Sequence, residues 1–286
     1  MTGARGSVRA HPIPILLYHS VAEDASDRFK RWTVTPRVFA EHVQYLADQG
    51  YAPVTLSALV NAMTRGGALP PQPVAITFDD GFADTHENAL PCLSRAGFPA
   101  TVYVVAGAIG GTSRWLHPEG EGDRRILSWS QLAELAAEGI ECGAHGMTHH
   151  ALDTMPIADA RDEIADSKGV LEQGLSLPIE SFAYPHGYYT GRLQTFVRQA
   201  GFSSAAGVKH ALSSADDDAY AIARIIVSRD TDVETLGRWL SGDGLRVAPK
   251  RNALSTTAWR LARRVQQMVG GIQHVGARPG PGQPQR

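Results

Sequence analysis

Short apolar runs alternate along the chain with stretches whose apolar residues recur every three or four positions, and the alternation repeats six or seven times. The runs at 13–18, 74–78, 100–105, 140–144, 181–184, 204–207 and 221–227 are too short for helices, so they predict buried strands. The clearest helix between them starts at Thr35, an N-cap residue followed by Pro36, with Phe39, Val43 and Leu46 on one face until Gly50. Further helices are expected from Ser57, over 85–96 with Pro91 as an interruption, from Ser128 to Gly139, and over 157–173, 191–200 and 231–240. Residues 107–125 read as a Gly-rich loop. Strands alternating with helices at this spacing argue for a parallel α/β fold, and six or seven units suit a closed or nearly closed barrel. Sites in such barrels lie at the carboxyl ends of the strands. Four of the expected strands end in polar groups there: His19, Asp79-Asp80, His145 and Pro185-His186.

Composition adds limits. The chain has 286 residues, 43% hydrophobic and 20% charged, enough for one large α/β domain. Cys92 and Cys142 are too few for a disulfide framework and read as reduced core residues. No segment approaches the roughly 18 apolar residues of a membrane span. Residues 1–12 form an arm without an apolar stretch of signal-peptide length, so a cytoplasmic protein is expected.

Charge is unevenly placed. Residues 244–286 carry eight Lys or Arg and no acid, so the net charge of −2 divides into +8 there and −10 over the body. Within 244–275, Leu254, Ala258, Leu261, Val265 and Met268 recur at spacings of 4, 3, 4 and 3, an amphipathic helix flanked by Arg260, Arg263 and Arg264. Such a basic helical tail either docks on the body or contacts an anionic surface, which here means the inner membrane face. Residues 276–286 are Pro/Gly-rich and expected to be disordered. No nucleic-acid partner is expected.

The candidate chemistry centres on Val74-Ala75-Ile76-Thr77-Phe78-Asp79-Asp80-Gly81, a strand that stops at two carboxylates and a glycine. Alone, this is equally a turn in which one Asp caps the next helix. His145-Gly146-Met147-Thr148-His149 places two imidazoles at i and i+4; if the chain turns helical there, both rings face one way, about 6 Å apart. Two His and one Asp together make a three-ligand site with open positions, the pattern of a catalytic zinc. Such a metal acidifies its water and polarises a carbonyl. The remaining Asp is then free to take a proton from that water.

Thr77-Phe78-Asp79-Asp80-Gly81, His145-x-x-x-His149 and Phe182-Ala183-Tyr184-Pro185-His186-Gly187, in this order, resemble the three leading motifs of the polysaccharide deacetylase family (NodB-homology domain, carbohydrate esterase family 4). Ile15-Leu16-Leu17-Tyr18-His19-Ser20-Val21 and Asn88-Ala89-Leu90-Pro91 resemble bacterial members, and the match covers about residues 13 to 240. The resemblance implies a catalytic domain at 13–243 with a deformed (β/α)7-type barrel. It also implies a divalent metal, most often Zn2+, and removal of N-acetyl groups from an N-acetylated glycan or glycan precursor. Asp79 resembles the general base that activates metal-bound water, and Asp80, His145 and His149 the metal ligands. The backbone N–H of His186 stands where the family stabilises the oxyanion. Substrate contacts are expected from His19, Tyr184, Pro185 and Gly187.

The departures from the family pattern are specific. Gly146 follows the first His where Ser or Thr is common. The Arg that commonly orients the base is replaced by Ala183. The later Asp-Trp motif is not recognisable. The late Leu-x-His motif, source of the general acid, is replaced by Ile225-Ile226-Val227-Ser228, which leaves His186, His19 and His210 as candidates in that order, with metal-bound water or Asp79 after proton uptake as further alternatives. His150, beside His149, is expected to point elsewhere. Tyr184, Tyr188, Trp115 and Trp129 either stack on sugar rings or pack. Two other readings compete: a catalytically silent carbohydrate-binding relative, and an amidase acting on a non-sugar amide or imide.

Overall fold

The computed structural model describes residues 12–214 and 217–248. The expected N-terminal arm, basic helix and Pro/Gly-rich end lie outside the described residues, except for Pro12 and 244–248. Those last residues join the body, with Leu212 N–H donating to Arg246 O at 3.1 Å and Ala248 N–H to Leu212 O at 2.8 Å. Among the described residues no helix is long and apolar enough to cross a membrane.

The expected strands form as β1 (Ile15–Tyr18), β2 (Pro73–Phe78), β3 (Thr101–Val104), β4 (Glu141–Ala144), β5 (Ser181–Ala183), β6 (Ser204–Ala206) and β7 (Ile225–Ile226). All pair in parallel, in the spatial order β7-β1-β2-β3-β4-β5-β6. The last strand is shorter than the apolar run 221–227 suggests, because that run serves both edges of the sheet. Its first half meets β6, where Ile222 N–H donates to Ala205 O at 3.0 Å and Gly207 N–H to Ile222 O at 2.9 Å. Its second half pairs with Leu16 and Leu17 of β1. One stretch of chain thereby draws both edges together, and the sheet curls into a deformed α/β barrel.

Strand alternation decides what faces where. Leu16, Tyr18, Val74, Ile76 and Phe78 point outward into the main core against the helices. Ile15, Ala75, Tyr103, Ala183 and Ile222 point inward, and Leu56, Leu59 and Val60 of α2 (Leu56–Arg65) plug the mouth at the amino ends of the strands. The start of α2 is tied to that mouth: Leu56 N–H donates to Thr101 Oγ1 at 2.9 Å and the Ser57 hydroxyl donates to Glu141. Halfway up, Tyr103 lies across the barrel with its hydroxyl 2.6 Å from Ser181 Oγ. A Cβ at Gly143 would stand 2.6 Å from the Tyr103 ring, so a glycine at that position makes the crossing possible.

The helices follow their sequence signals. In α1 (Pro36–Asp48) the Thr35 hydroxyl accepts from Val38 N–H at 3.3 Å. In α4 (Trp129–Ala137) Ser128 and Gln131 form a capping box. The stretch 85–96 splits, because Pro91 has no N–H to give the ladder: a wide π turn at Thr85–Ala89 precedes α3 (Leu90–Ala96), whose first turn accepts the proline. The helices α5 (Ile157–Leu175), α6 (Gly191–Gln199) and α7 (Val233–Leu240) complete the outer ring. Residues 107–125 are less irregular than expected, with a 3-10 turn at Arg114–Glu119 and bridges Phe82 to Ile126 and Thr112 to Arg125.

His42 of α1 joins these layers. Its Nε2–H donates to Thr231 O at 3.0 Å, leaving Nδ1 to accept from the Tyr18 hydroxyl at 3.0 Å. Burial lowers its pKa to about 4. The unfolded chain takes up this proton near the ordinary value of about 6.5 and the folded chain does not, so stability falls as pH drops through that window, by up to about 3 kcal/mol. In urea titrations at several pH values between 7 and 4, His42→Gln should lose this part of the acid slope; an unchanged slope would remove His42 from the account.

Candidate active site

Alternation along β2 turns Ala75, Thr77 and Asp79 into the barrel. Asp79 meets Arg224, which is fully buried just ahead of β7. The guanidinium donates twice to the carboxylate, Nη1 to Oδ1 at 2.6 Å and Nη2 to Oδ2 at 2.7 Å. Two more of its N–H groups are occupied as well, Nε by Gly207 O at 3.0 Å and Nη1 by Thr77 Oγ1 at 3.3 Å. Burial alone raises the Asp79 pKa, but Arg224 outweighs it and holds the group below its ordinary value. The arginine missing at Ala183 is therefore supplied from another strand. A lone cation inside the apolar run Ala221-Ile222-Ala223-Arg224-Ile225-Ile226-Val227 was the available signal for it.

Asp80 and Gly81 leave the strand with φ of 73° each. That conformation is unusual for Asp and costs of order 1 kcal/mol or more. At Gly81 a Cβ would stand 2.9 Å from Val104, so only glycine fits. The turn brings Asp80 to His145 and His149, and one ligand atom from each residue lies within 4.8 Å of the others. His145 Nδ1 is 2.8 Å from Ala183 O. A carbonyl only accepts, so Nδ1 carries the proton and Nε2 offers a lone pair toward Asp80 Oδ1, 3.5 Å away. His149 Nε2 stands 3.0 Å from the same oxygen. Asp80 Oδ1 is buried and makes no hydrogen bond among the described residues. A carboxylate and an imidazole lone pair facing each other without a proton between them fit a divalent cation. The local field agrees: burial lowers the His145 pKa, yet Asp79 and Asp80 raise it above its ordinary value overall.

Residues 145–149 do not form a helix. Gly146 has φ of 75° and His149 of 63°, and the imidazole centroids end 5.0 Å apart. Glu163 of α5 sets this shape. Its Oε2 accepts from Met147 N–H at 2.7 Å and Thr148 N–H at 3.0 Å, and its Oε1 from the Thr148 hydroxyl at 2.6 Å. Amides that would align along a helix axis converge instead on one carboxylate.

A cavity of about 370 Å³ opens over the cluster, lined by Asp79, Asp80, His145, His149, His19, His186, Gly187 and Tyr188 on the strand side. His19 packs against Trp32 at 4.8 Å, and its Nδ1 is buried without a hydrogen-bond partner among the described residues. Burial lowers its pKa, with Asp80 and Asp79 pulling the other way. His186 has φ of 59° in a tight turn closed by Gly187 N–H to Tyr184 O at 2.7 Å, and its ring meets His149 edge-on at 4.7 Å. Trp115 stacks on His149 at 5.0 Å. Other expected residues lie elsewhere. Tyr184 is fully buried, stacked on Tyr189 at 5.1 Å with its hydroxyl donating to Tyr220 O at 3.1 Å. It and the buried Pro185 do not line the cavity, because alternation along β5 turns Tyr184 toward the helices. His210 Nδ1 accepts from Ile226 N–H at 3.2 Å and its ring packs on Trp239, away from the cavity. His150 is exposed, 2.6 Å from the Thr148 hydroxyl. Trp129 sits at the outer start of α4.

Two measurements probe this arrangement. Glu163→Ala frees the loop that carries both histidines, and chelator competition should show metal affinity falling by about 10- to 100-fold, with Glu163→Gln milder. Arg224→Ala strands a buried carboxylate, and urea unfolding should report a loss of roughly 3–5 kcal/mol; a loss below about 1 kcal/mol would show that Asp79 finds another partner.

A family model described as polysaccharide deacetylase matches residues 66–205, a span that contains all three motifs. The Bacillus subtilis protein YxkH is 26% identical over 228 residues, covering 80% of this chain and 76% of that one. The poly-beta-1,6-N-acetyl-D-glucosamine N-deacetylase of Staphylococcus epidermidis is 25% identical over 223 residues, covering 75% and 74%. Among solved structures, the Streptococcus pyogenes deacetylase PplD superposes with a TM-score of 0.70 at 23% identity, over 80% of this chain and 98% of that one. IcaB from Ammonifex degensii gives 0.69 at 24% identity, over 80% and 97%. These two likenesses bear on the fold. With the barrel, the Asp-His-His cluster and the three motifs in place, the chain belongs to the polysaccharide deacetylase family.

Proposed function

We propose that the protein removes N-acetyl groups from an N-acetylated glycan by hydrolysis, with a divalent cation, Zn2+ first among them, held by Asp80, His145 and His149. The observation that carries this reading is the split between neighbouring carboxylates: Asp80 faces two imidazoles, whereas Asp79 is locked by Arg224 beside them. When bound, the cation polarises the acetamide carbonyl and acidifies water.

The chain's own residues do the rest. Arg224 keeps Asp79 ionised and fixes its plane, so the lone pairs not taken by the guanidinium accept a proton from the attacking water. As the C–O bond forms, the backbone N–H of His186, on its tight turn, donates to the developing oxyanion. Breaking the C–N bond needs a proton on the leaving amine. Asp79 then carries the proton taken from water, and His19, kept neutral by burial and enclosed on the cavity wall with a ring nitrogen that makes no hydrogen bond among the described residues, is placed ahead of His186 to pass that proton on to the amine. Acetate and the free amine are released.

Oligomers of the polymer named for the staphylococcal relatives are the first substrates to test, with chito-oligosaccharides alongside. Acetate release should vanish on chelation and return with Zn2+. Asp79→Asn should keep the metal while turnover falls by at least about 100-fold. Full activity in thoroughly metal-free protein would sink the proposal. Acetate release from sugar substrates also separates it from a silent carbohydrate-binding protein and from an amidase of non-sugar imides.

For the basic segment beyond Ala248 we propose attraction to an anionic membrane surface, which would place a cytoplasmic enzyme at the inner face. Its charge of +7 from Lys250 onward and the apolar spacing support this. The full chain should co-sediment with anionic vesicles and a chain ending at residue 248 should not; equal sedimentation of the two would count against it.

A further inference from the structure

The wall of the cavity opposite the strand ends is built from a different part of the chain. Phe29 and Trp32 come from the segment after β1, and Leu116 and Glu119 from the 3-10 turn Arg114–Glu119 between β3 and α4. The turn is pinned in place. The Ser26 hydroxyl donates to Glu119 O at 2.6 Å, and Arg28 Nη1 to Pro118 O at 2.8 Å. Ser26 N–H donates to Glu121, whose other oxygen accepts from Arg124 Nη2 at 2.9 Å. Arg124 in turn bonds Asp84 at 3.3 Å and Asp24 O at 3.1 Å. Glu119 is therefore presented to the cavity by a braced backbone.

Three carboxylates line this cavity, and two have assigned partners. Asp79 is held by Arg224 and Asp80 faces the imidazoles. Glu119 is half-buried, and its Oε2 is closed off from solvent while making no hydrogen bond among the described residues. It stands outside the cluster of candidate metal ligands. A shielded carboxylate oxygen without a donor is unfavourable, and because Glu119 lines the cavity a small shift of its side chain lets a donor that enters there supply the missing bond.

We propose that Glu119 is a specificity-determining carboxylate that binds hydroxyl groups of the sugar whose acetamide lies at the Asp80, His145 and His149 site. This rests on the deacetylase reading above. A neutral N-acetylated sugar offers two kinds of donor, the amide N–H and the ring hydroxyls. The amide belongs to the reacting centre, which leaves the hydroxyls for the opposite wall. An O–H to carboxylate bond is among the strong ones, and adjacent hydroxyls can use both oxygens. Leu116, Phe29 and Trp32 flank Glu119 with apolar surface suited to the carbon faces of a pyranose ring. Acetyl compounds without hydroxyls gain nothing from the Glu119 carboxylate, so Glu119 discriminates sugars from simple amides and esters.

The test compares Zn2+-loaded full chain with its Glu119→Ala and Glu119→Gln variants on tetra-N-acetylchitotetraose and on 4-methylumbelliferyl acetate. The ratio of kcat/KM for the sugar to that for the ester should fall by about tenfold or more in Glu119→Ala, chiefly through KM for the sugar. Gln keeps one acceptor and should recover part of the loss. In metal-free protein, tetra-N-acetylchitotetraose titrated by calorimetry should bind more weakly to Glu119→Ala by a similar factor. A ratio within about twofold of the parent, or a loss shared equally by sugar and ester, overturns the assignment. A parent protein that cleaves the ester but neither binds nor cleaves any N-acetylated sugar overturns the deacetylase reading, and Glu119's role with it.

Discussion

The buried pair of Arg224 and Asp79 is the constraint around which the barrel is arranged. Removing a guanidinium and a carboxylate from water costs several kcal/mol per ion, and the pair survives only if nearly every donor and lone pair finds a partner. Here the fork meets the carboxylate on both arms, and Gly207 O and Thr77 Oγ1 take remaining donors. The Tyr103 ring lies 5.5 Å from the guanidinium carbon. These partners come from β2, β3 and the end of β6, while Arg224 rides on the segment that joins both edges of the sheet. Closing the barrel and fixing Asp79 are thus one structural event.

Around that pair, the site is held by backbone groups gathered onto carboxylates. Glu163 collects two amides and a hydroxyl from the loop of His145 and His149. Asp84 accepts from the Ser20 hydroxyl at 2.6 Å and from Val21 N–H at 3.0 Å, tying the turn after β2 to the end of β1. Burial raises the Asp84 pKa despite these bonds, whereas Arg224 brings that of Asp79 down. The difference lies in the partner: a hydroxyl, an amide and a single long guanidinium contact from Arg124 at 3.3 Å compensate desolvation less than the full fork of Arg224. Asp80, His149 and His186 all occupy left-handed backbone. Strain of this kind persists only where surrounding contacts enforce it, and here those contacts converge on one cavity.

The two mouths of the barrel divide the work. At the amino ends, α2 seals the interior with Leu56, Leu59 and Val60 and buries Thr101 and Ser57 against polar partners. At the carboxyl ends, the connections stay open and carry the reactive groups, and the long connection after β3 folds back over Phe29, Phe82 and Ile126 to form the facing wall. Stability is concentrated at one mouth and chemistry at the other, as parallel barrels allow.

Much of this was legible in the sequence, because strand and helix periodicity, N-caps and helix-ending glycines are local properties of the chain. Thr35, Ser128 and Asp232 cap the helices their positions imply, and the apolar runs became neighbouring parallel strands. The motif residues Asp80, His145 and His149 were nameable because their spacing is local, although the loop that brings them together is not the helix that i and i+4 suggested. Arg224 was hidden: its partner Asp79 lies 145 residues away, and only the curl of the sheet makes them neighbours. Tyr184 and His19 show the same limit, since side-chain direction at a strand end depends on register and twist, and these sent Tyr184 into the core and His19 to the cavity. The sequence alone determined the order of elements and the reactive groups at the strand ends. Tertiary structure decided which of those groups share a cavity and which partner steadies Asp79, because burial, closure and ion pairing are set by contacts between segments far apart in the chain.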